Sequence, residues 1–289
     1  IKKLFCNKNK YIMQFKHIIF FAIFLIVGSV SCTEIGPTIN LVTNNDPDDV
    51  QRVVVVEEFT GVRCVNCPAA SQKLQDIIAQ RGEDKVIAIA IHAGIFATPY
   101  SESNEDFRTG DGTNLLNYLG QPSGYPSAVI NRVHYDPQQP RAVDPNDWNG
   151  YIGQELQKTV KVKLDMTKDY DETTRELKGS AELLFLESVS GNVNITFVIT
   201  ENDVEDVQLT PDGKVNDYKH KHILRDIIST NSGDLIGENI AANFTTTINF
   251  NYNLPAKFKA ENCEIIAFVN RNDGGTLDIL QGAKAHVID

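Results

Sequence analysis

Tryptophan occurs once in the 289 residues, methionine twice and cysteine only five times. The cysteines fall at 6, 32, 64, 67 and 263, an odd number at irregular spacing, which excludes the disulfide framework that staples small secreted domains. Only Cys64 and Cys67 are close together, and a zinc site of four thiolates would need a second pair. No repeat of fixed period and no low-complexity tract is present, and neither a phosphate-cradling glycine loop nor a Ser/His/Asp arrangement stands out. Long apolar runs are missing too. The stretch IIFFAIFLIVGSV at 18–30 is shorter than the roughly 20 residues a spanning helix needs. Positive charge is scarce outside the first 32 residues, which hold Lys2, Lys3, Lys8, Lys10 and Lys16 and no acid. With those five lysines set aside, the net charge of -11 becomes -16, so the body repels nucleic acid and no such partner is expected.

The apolar stretch has the length of a signal-peptide core, preceded by Lys16 and Met13. Residues 1–12 read as upstream sequence without a structural role, and 13–31 as a leader. The leader ends in Ser29-Val30-Ser31-Cys32, small residues before a cysteine, which resembles the bacterial lipobox. Ser29 stands where Leu is usual. That resemblance implies cleavage before Cys32 and acyl chains on it, a membrane anchor with no spanning helix. Residues 32–50, rich in Asn, Asp and Pro, follow as a tether.

Beyond the tether, Val53–Val56 is a β-branched run of the kind buried in a sheet. Residues 68–80 carry Ala69, Ala70, Leu74, Ile77 and Ile78 as a helical stripe, ended by Arg81-Gly82. Val86–Ile91 is a second buried-type strand, so a β-α-β unit with parallel strands is predicted. A short helix at 114–119, a strand behind Pro126 and a helix over 144–156 complete this half. From Val160 the pattern alternates with period two, and strands are expected at 177–187, 193–200, 244–252, 263–270 and 277–287. Asn272-Asp273-Gly274-Gly275 marks a hairpin turn.

The sharpest motif is Cys64-Val65-Asn66-Cys67-Pro68 where a strand becomes a helix. Amide groups and the dipole at a helix start favour a thiolate, which suits Cys64 as nucleophile and Cys67 as resolving thiol. Glu58 lies just before the turn, placed to pass a proton to or from Cys67, or else simply a solvated strand end. Pro126 opens a strand, where a cis Tyr125–Pro126 bond would present backbone beside the sulfurs. A structural disulfide without turnover and a zinc site with His92 are the competing readings of the pair.

Residues 53–135, through Val53–Val56, Cys64–Pro68 and Tyr125-Pro126, look like the thioredoxin fold. More narrowly, Glu58-Phe59-Thr60-Gly61 before Cys64-x-x-Cys67-Pro68, together with the lipoprotein leader and a β-rich C-terminal part, resembles the 28-kDa outer membrane protein family of Bacteroidetes. The expectation is therefore an α/β thioredoxin-like domain at 51–156 followed by an all-β immunoglobulin-like sandwich at 157–289. The resemblance implies an outer-membrane lipoprotein. Thiol–disulfide exchange on exported proteins is one function, and a binding or assembly role with the first domain as scaffold is the other. Arg63 stands where thioredoxins carry Trp; its charge could lower the Cys64 pKa, but substrate docking would differ. No cofactor or metal is expected. His220 and His222 would share a strand face without a third ligand. Asp169, Asp171 and Glu172 read as an acidic turn and Cys263 as a buried, inert thiol.

Overall fold

The computed structural model of the chain describes residues 50–288. The leader, Cys32 and tether residues 33–49 lie outside them. The valine run opens strand β1 (Val54–Thr60), buried along its whole length, Glu57 and Glu58 included. Helix α1 (Cys67–Arg81) follows. Its buried residues Ala70, Leu74, Ile77 and Ile78 recur at helical spacing, and the Gly82 N–H closes it on the Ile78 carbonyl. Strand β2 (Val86–His92) lies parallel to β1, with Val54 opposite Val86 and Thr60 opposite His92. Helix α2 (Gly110–Leu119) starts at Thr109, whose hydroxyl accepts from the Gly112 N–H. Strand β3 (Ser127–Ile130) pairs antiparallel with β1, and helix α3 (Trp148–Leu156) buries the single tryptophan.

Strands make up what remains: β4 (Val162–Asp171), β5 (Glu176–Phe185), β6 (Val189–Glu201), β7 (Val204–Thr210), β8 (Gly213–His220), β9 (Ile223–Ile227), β10 (Asp234–Ile240), β11 (Thr245–Asn253), β12 (Cys263–Arg271) and β13 (Ile279–His286). Four of these, β7 to β10, arise in a stretch where the sequence pattern predicts no strand.

The pairing of the strands corrects the expected fold class. β13, β12, β6, β9, β2, β1 and β3 form one sheet in that order, with β10 also on β6. There is no separate α/β thioredoxin-like domain followed by an immunoglobulin-like sandwich; the body is mostly β, about 45% strand, with mixed and antiparallel sheets. The physical reason is the free edge of β2. An apolar strand cannot leave its backbone groups buried and unpaired. β9 supplies partners: it runs parallel to β2 at Ala90–Ile223, where the Ala90 N–H donates to the His222 carbonyl at 2.7 Å, and antiparallel to β6 on its other side. Further ties run from the first residues to the last strand. The Arg52 guanidinium donates to the carbonyls of Ile279, at 2.7 Å, and Leu280, and the Ile279 N–H donates to the Asn131 carbonyl at 2.8 Å.

Four apolar clusters follow from this arrangement, three large and one small. α1 and α3 cover one face of β1–β3 through Leu74, Ile77, Trp148 and Ile152. On the other face Val55, Phe59 and Ile89 meet Leu115 and Leu116 of α2, and also Val198, Leu224, Ile266 and Phe268 of the later strands. The two halves of the sequence thus share a core. Burying each such large side chain is worth roughly 1.5–3 kcal/mol, so neither half keeps its stability without the other. A three-stranded sheet, β11-β5-β4, closes over β6 and β12 around Phe185, Phe197, Phe250 and Ile265. Among the described residues no helix is long and apolar enough to cross a membrane.

Candidate functional site

The site grows from the end of β1. Gly61 is required there by a close approach, because a Cβ would fall 2.3 Å from the Phe96 carbonyl oxygen. Two tight turns follow: the Cys64 N–H donates to the Gly61 carbonyl at 3.0 Å and the Cys67 N–H to the Cys64 carbonyl at 3.3 Å. They bring the two cysteines, with Cα atoms 5.3 Å apart, into a disulfide. Cys67 is the first residue of α1, whereas Cys64 precedes the N-cap residue Asn66. The first turn of α1 holds no acid, so the positive end of the helix is not offset by its own side chains.

Glu58 is not a solvated strand end. It is buried in β1, opposite Ala90 on one side and Ala128 on the other. Burial pushes its carboxyl up to about 7, against the opposing effect of the Ser71 hydroxyl, which donates to Oε1 at 2.9 Å. Ser71 lies four residues beyond Cys67 on α1, and both line one small cavity of about 20 Å³, also bounded by His92, Gln208, Tyr218 and His220. The Tyr125–Pro126 bond is cis. Because Phe59 faces Ser127 across the β1–β3 pair, Pro126 sits level with the end of β1. A larger groove of about 620 Å³ runs past Asn66, Ala69 and Lys73 on one wall and Tyr125, Pro126 and Asp144 on the other. Glu58, Cys64, Cys67 and Pro126 are therefore gathered at one end of β1.

Both cysteines are shut away from solvent. Cys64 is 3% and Cys67 1% exposed, while Val65 between them is 39% exposed. Strand β7 provides the cover. The Leu209 N–H donates to the Val62 carbonyl at 2.8 Å, and the Gln208 side-chain amide donates to the Cys64 carbonyl at 3.1 Å. Gln208 is a contact that the motif alone does not announce. The signal that finds its hairpin is Pro211-Asp212-Gly213, a turn sequence just after the short alternation Val207-Gln208-Leu209.

Arg63 is engaged elsewhere: its guanidinium donates to the Thr98 and Pro99 carbonyls at 2.6 and 2.7 Å and lies over the Tyr100 ring. His220 and His222 do not share a strand face. His220 ends β8, buried among His92, Phe107 and Tyr218, and burial lowers it to about 4. His222 sits in the following turn at φ 54°, facing Glu264. Asp171 closes the β4–β5 turn by accepting from the Thr173 and Thr174 N–H groups. Cys263 is a buried free thiol, pushed up to about 12 by desolvation. Among the described residues no group of three or more His, Cys, Asp and Glu side chains is placed to hold a metal ion.

Chemically, a disulfide whose second cysteine lies one helical turn from Ser71, itself bonded to a buried carboxyl, suits two-electron exchange, and a wholly covered disulfide suits a staple. The comparisons with known proteins set the class first: this is an outer membrane protein. The family model described as "Outer membrane protein Omp28" matches residues 115–287, well over half the chain, and the chain belongs to that family. Its place is the outer membrane. No curated protein matches. Among solved structures the chain is similar to HBP35 of Porphyromonas gingivalis, at 18% identity and a TM-score of 0.66, over 82% of this chain and 75% of that one. It is also similar to a protein from Agrobacterium tumefaciens, at 16% identity and a TM-score of 0.51, over 83% of this chain and 97% of that one. At such identities the likeness is one of fold. A domain of the outer membrane lipoprotein Omp28 from Porphyromonas gingivalis aligns with 44% of this chain and 88% of its own, at 15% identity and a TM-score of 0.30.

Proposed function

We propose that the chain is a lipoprotein held at the outer membrane by acyl chains on Cys32, and that it exchanges disulfides with exported proteins through Cys64 and Cys67. The observation that carries the exchange reading is the position of Glu58: a carboxyl buried in β1, pushed up to about 7 by that burial, which accepts from Ser71 one helical turn beyond Cys67. A group with that acidity both gives and takes a proton at physiological pH.

In the oxidising direction a partner thiolate attacks Cys64 Sγ, the Cys64–Cys67 bond breaks, and Cys67 leaves as a thiolate that takes its proton from Glu58. The partner's second thiolate then attacks the mixed disulfide and releases Cys64. The partner gains a disulfide, and Cys64 and Cys67 gain two electrons and two protons. Run backwards, the reduced pair opens a partner's disulfide, with Glu58 as the base at Cys67. Pro126 and Asn66 line the adjoining groove, which on this reading takes the peptide beside the cysteine turn.

One observation favours a second reading, a scaffold lipoprotein in which the disulfide is a staple: both cysteines are almost fully covered. Replacement of Cys67 by Ser separates the two. Exchange predicts covalent complexes trapped on Cys64 in cells, dissolved by reductant and lost when Cys64 is also replaced. An empty trap supports the staple. For the anchor, labelled fatty acid should enter the wild-type chain and not Cys32→Ala; label that survives the substitution refutes the site.

A further inference from the structure

Strands β7 and β8 pair only with each other among the described strands, forming a two-stranded ribbon outside the main sheet. The ribbon lies on the cysteine turn, joined to it by one backbone hydrogen bond, Leu209 N–H to the Val62 carbonyl at 2.8 Å, and at the end of β8 by His220 packed on His92 and Phe107. Its other polar ties are made by side chains. At its middle the Gln208 amide donates to the Cys64 carbonyl at 3.1 Å and, within the ribbon, to the Leu209 carbonyl at 2.9 Å, with the Gly61 carbonyl further off at 3.4 Å, and Gln208 itself is 3% exposed. Near its start Asp206 accepts from the Asn104 and Glu105 N–H groups at 3.1 and 2.7 Å. At its tip Lys214 pairs with Glu102. The apolar cluster beneath it is small: Val62, Phe107, Val204 and Ile223, with Tyr100 at its margin. The clusters in the main body are several times larger. An element with few apolar anchors opens at lower free energy than the core it rests on.

We propose that this ribbon is a movable cover over the disulfide and that Gln208 is the positioning residue that latches it to the cysteine turn. The biological use of the cover rests on the exchange reading; its mechanical behaviour does not. With the ribbon seated, no attacking sulfur can come into line with Cys64 Sγ. When it lifts, the turn carrying Val65 and Asn66, already at the surface, brings both sulfurs into reach from the groove beside Pro126. The cover thus selects partners: a flexible peptide that displaces the ribbon is oxidised or reduced, while small thiols in bulk solution are held off.

The test uses the full oxidised chain and dithiothreitol. In that reaction the reagent's two thiols close into a ring disulfide while the Cys64–Cys67 bond accepts two electrons and two protons. Timed alkylation reads the rate. Gln208→Ala should open the disulfide at least tenfold faster than wild type. Gly179→Ala, which drives a Cβ onto the Thr167 carbonyl in the distant β4–β5 pair, should lower stability without comparable acceleration. Should both variants accelerate in proportion to the stability they lose, reduction proceeds through global unfolding and the cover is refuted. An unchanged rate in a folded Gln208→Ala chain refutes it as well. Should Gln208→Ala not fold, hydrogen exchange of the wild type decides: the Leu209 amide must exchange through an opening smaller than global unfolding, and exchange together with the Phe268 amide overturns the proposal. Failed trapping of partners in cells, with gated reduction intact, would remove the exchange reading and leave the cover standing.

Discussion

Arg132 holds Glu57 in a two-pronged ion pair at the centre of the molecule, Nη2 to Oε1 at 2.7 Å and Nε to Oε2 at 2.9 Å, with both side chains at most 1% exposed. The Phe268 ring lies 4.8 Å from the guanidinium. A carboxylate can sit in an all-buried strand only because this cation meets it there. Removing one partner leaves a buried charge alone, so Glu57→Gln or Arg132→Met should each cost about 3–5 kcal/mol. The double variant Glu57→Gln/Arg132→Met should cost less than the two singles added, because no charge is stranded. Denaturant unfolding of the four proteins checks this; additive losses would show that the pair does not act as a unit.

Glu58, the neighbour of Glu57, predicts a pH dependence. Its folded-state acidity, about 7, lies above the ordinary 4.5, so the native state binds the proton more tightly than the unfolded chain does. The stabilising contribution is complete below pH 4.5 and is lost as pH rises through 7. Across that window wild type should lose on the order of 3 kcal/mol relative to Glu58→Gln, which carries no titrating group. The quantity to measure is the difference in unfolding free energy between the two proteins at several pH values. A difference that stays constant from pH 4 to 8 contradicts the buried, protonated carboxyl.

The disulfide closes a very short loop, with a sequence separation of 3. Loop-closure entropy for so few residues amounts to about 2 kcal/mol, well under the 5–15 kcal/mol by which a typical domain is stable. Cys64→Ser/Cys67→Ser should therefore remain folded with a modestly lower midpoint. A chain that unfolds without the bond would mark it as a staple and favour the scaffold reading.

Much of the site is legible in the sequence because it is local. Val53–Val56, the helical stripe after Pro68, and the second apolar run at Val86 dictate β1, α1 and β2 one after another, and the cysteine motif sits at their junction. Pro126 is brought to the same end by a single antiparallel pairing. The remainder depends on partners far away in sequence. Nothing at Ile223 states that it will lie beside Ala90, yet that pairing merges what look like two domains into one sheet. β8, GKVNDYKH, and the twice-shifted β10, DLIGENI, lack clean alternation because they are ribbon and edge strands with largely exposed faces. Glu57 and Glu58 read as the polar end of a strand until the arginine and the serine that receive them are seen in place.

The insertion of β9 beside β2 also separates the cysteine pair from its cover along the chain. Cys64 and Cys67 belong to the first β-α-β unit, whereas Gln208, whose amide bonds to the Cys64 carbonyl, stands 144 residues further on. A chain cut before β7 keeps both cysteines and loses the strand that lies against them.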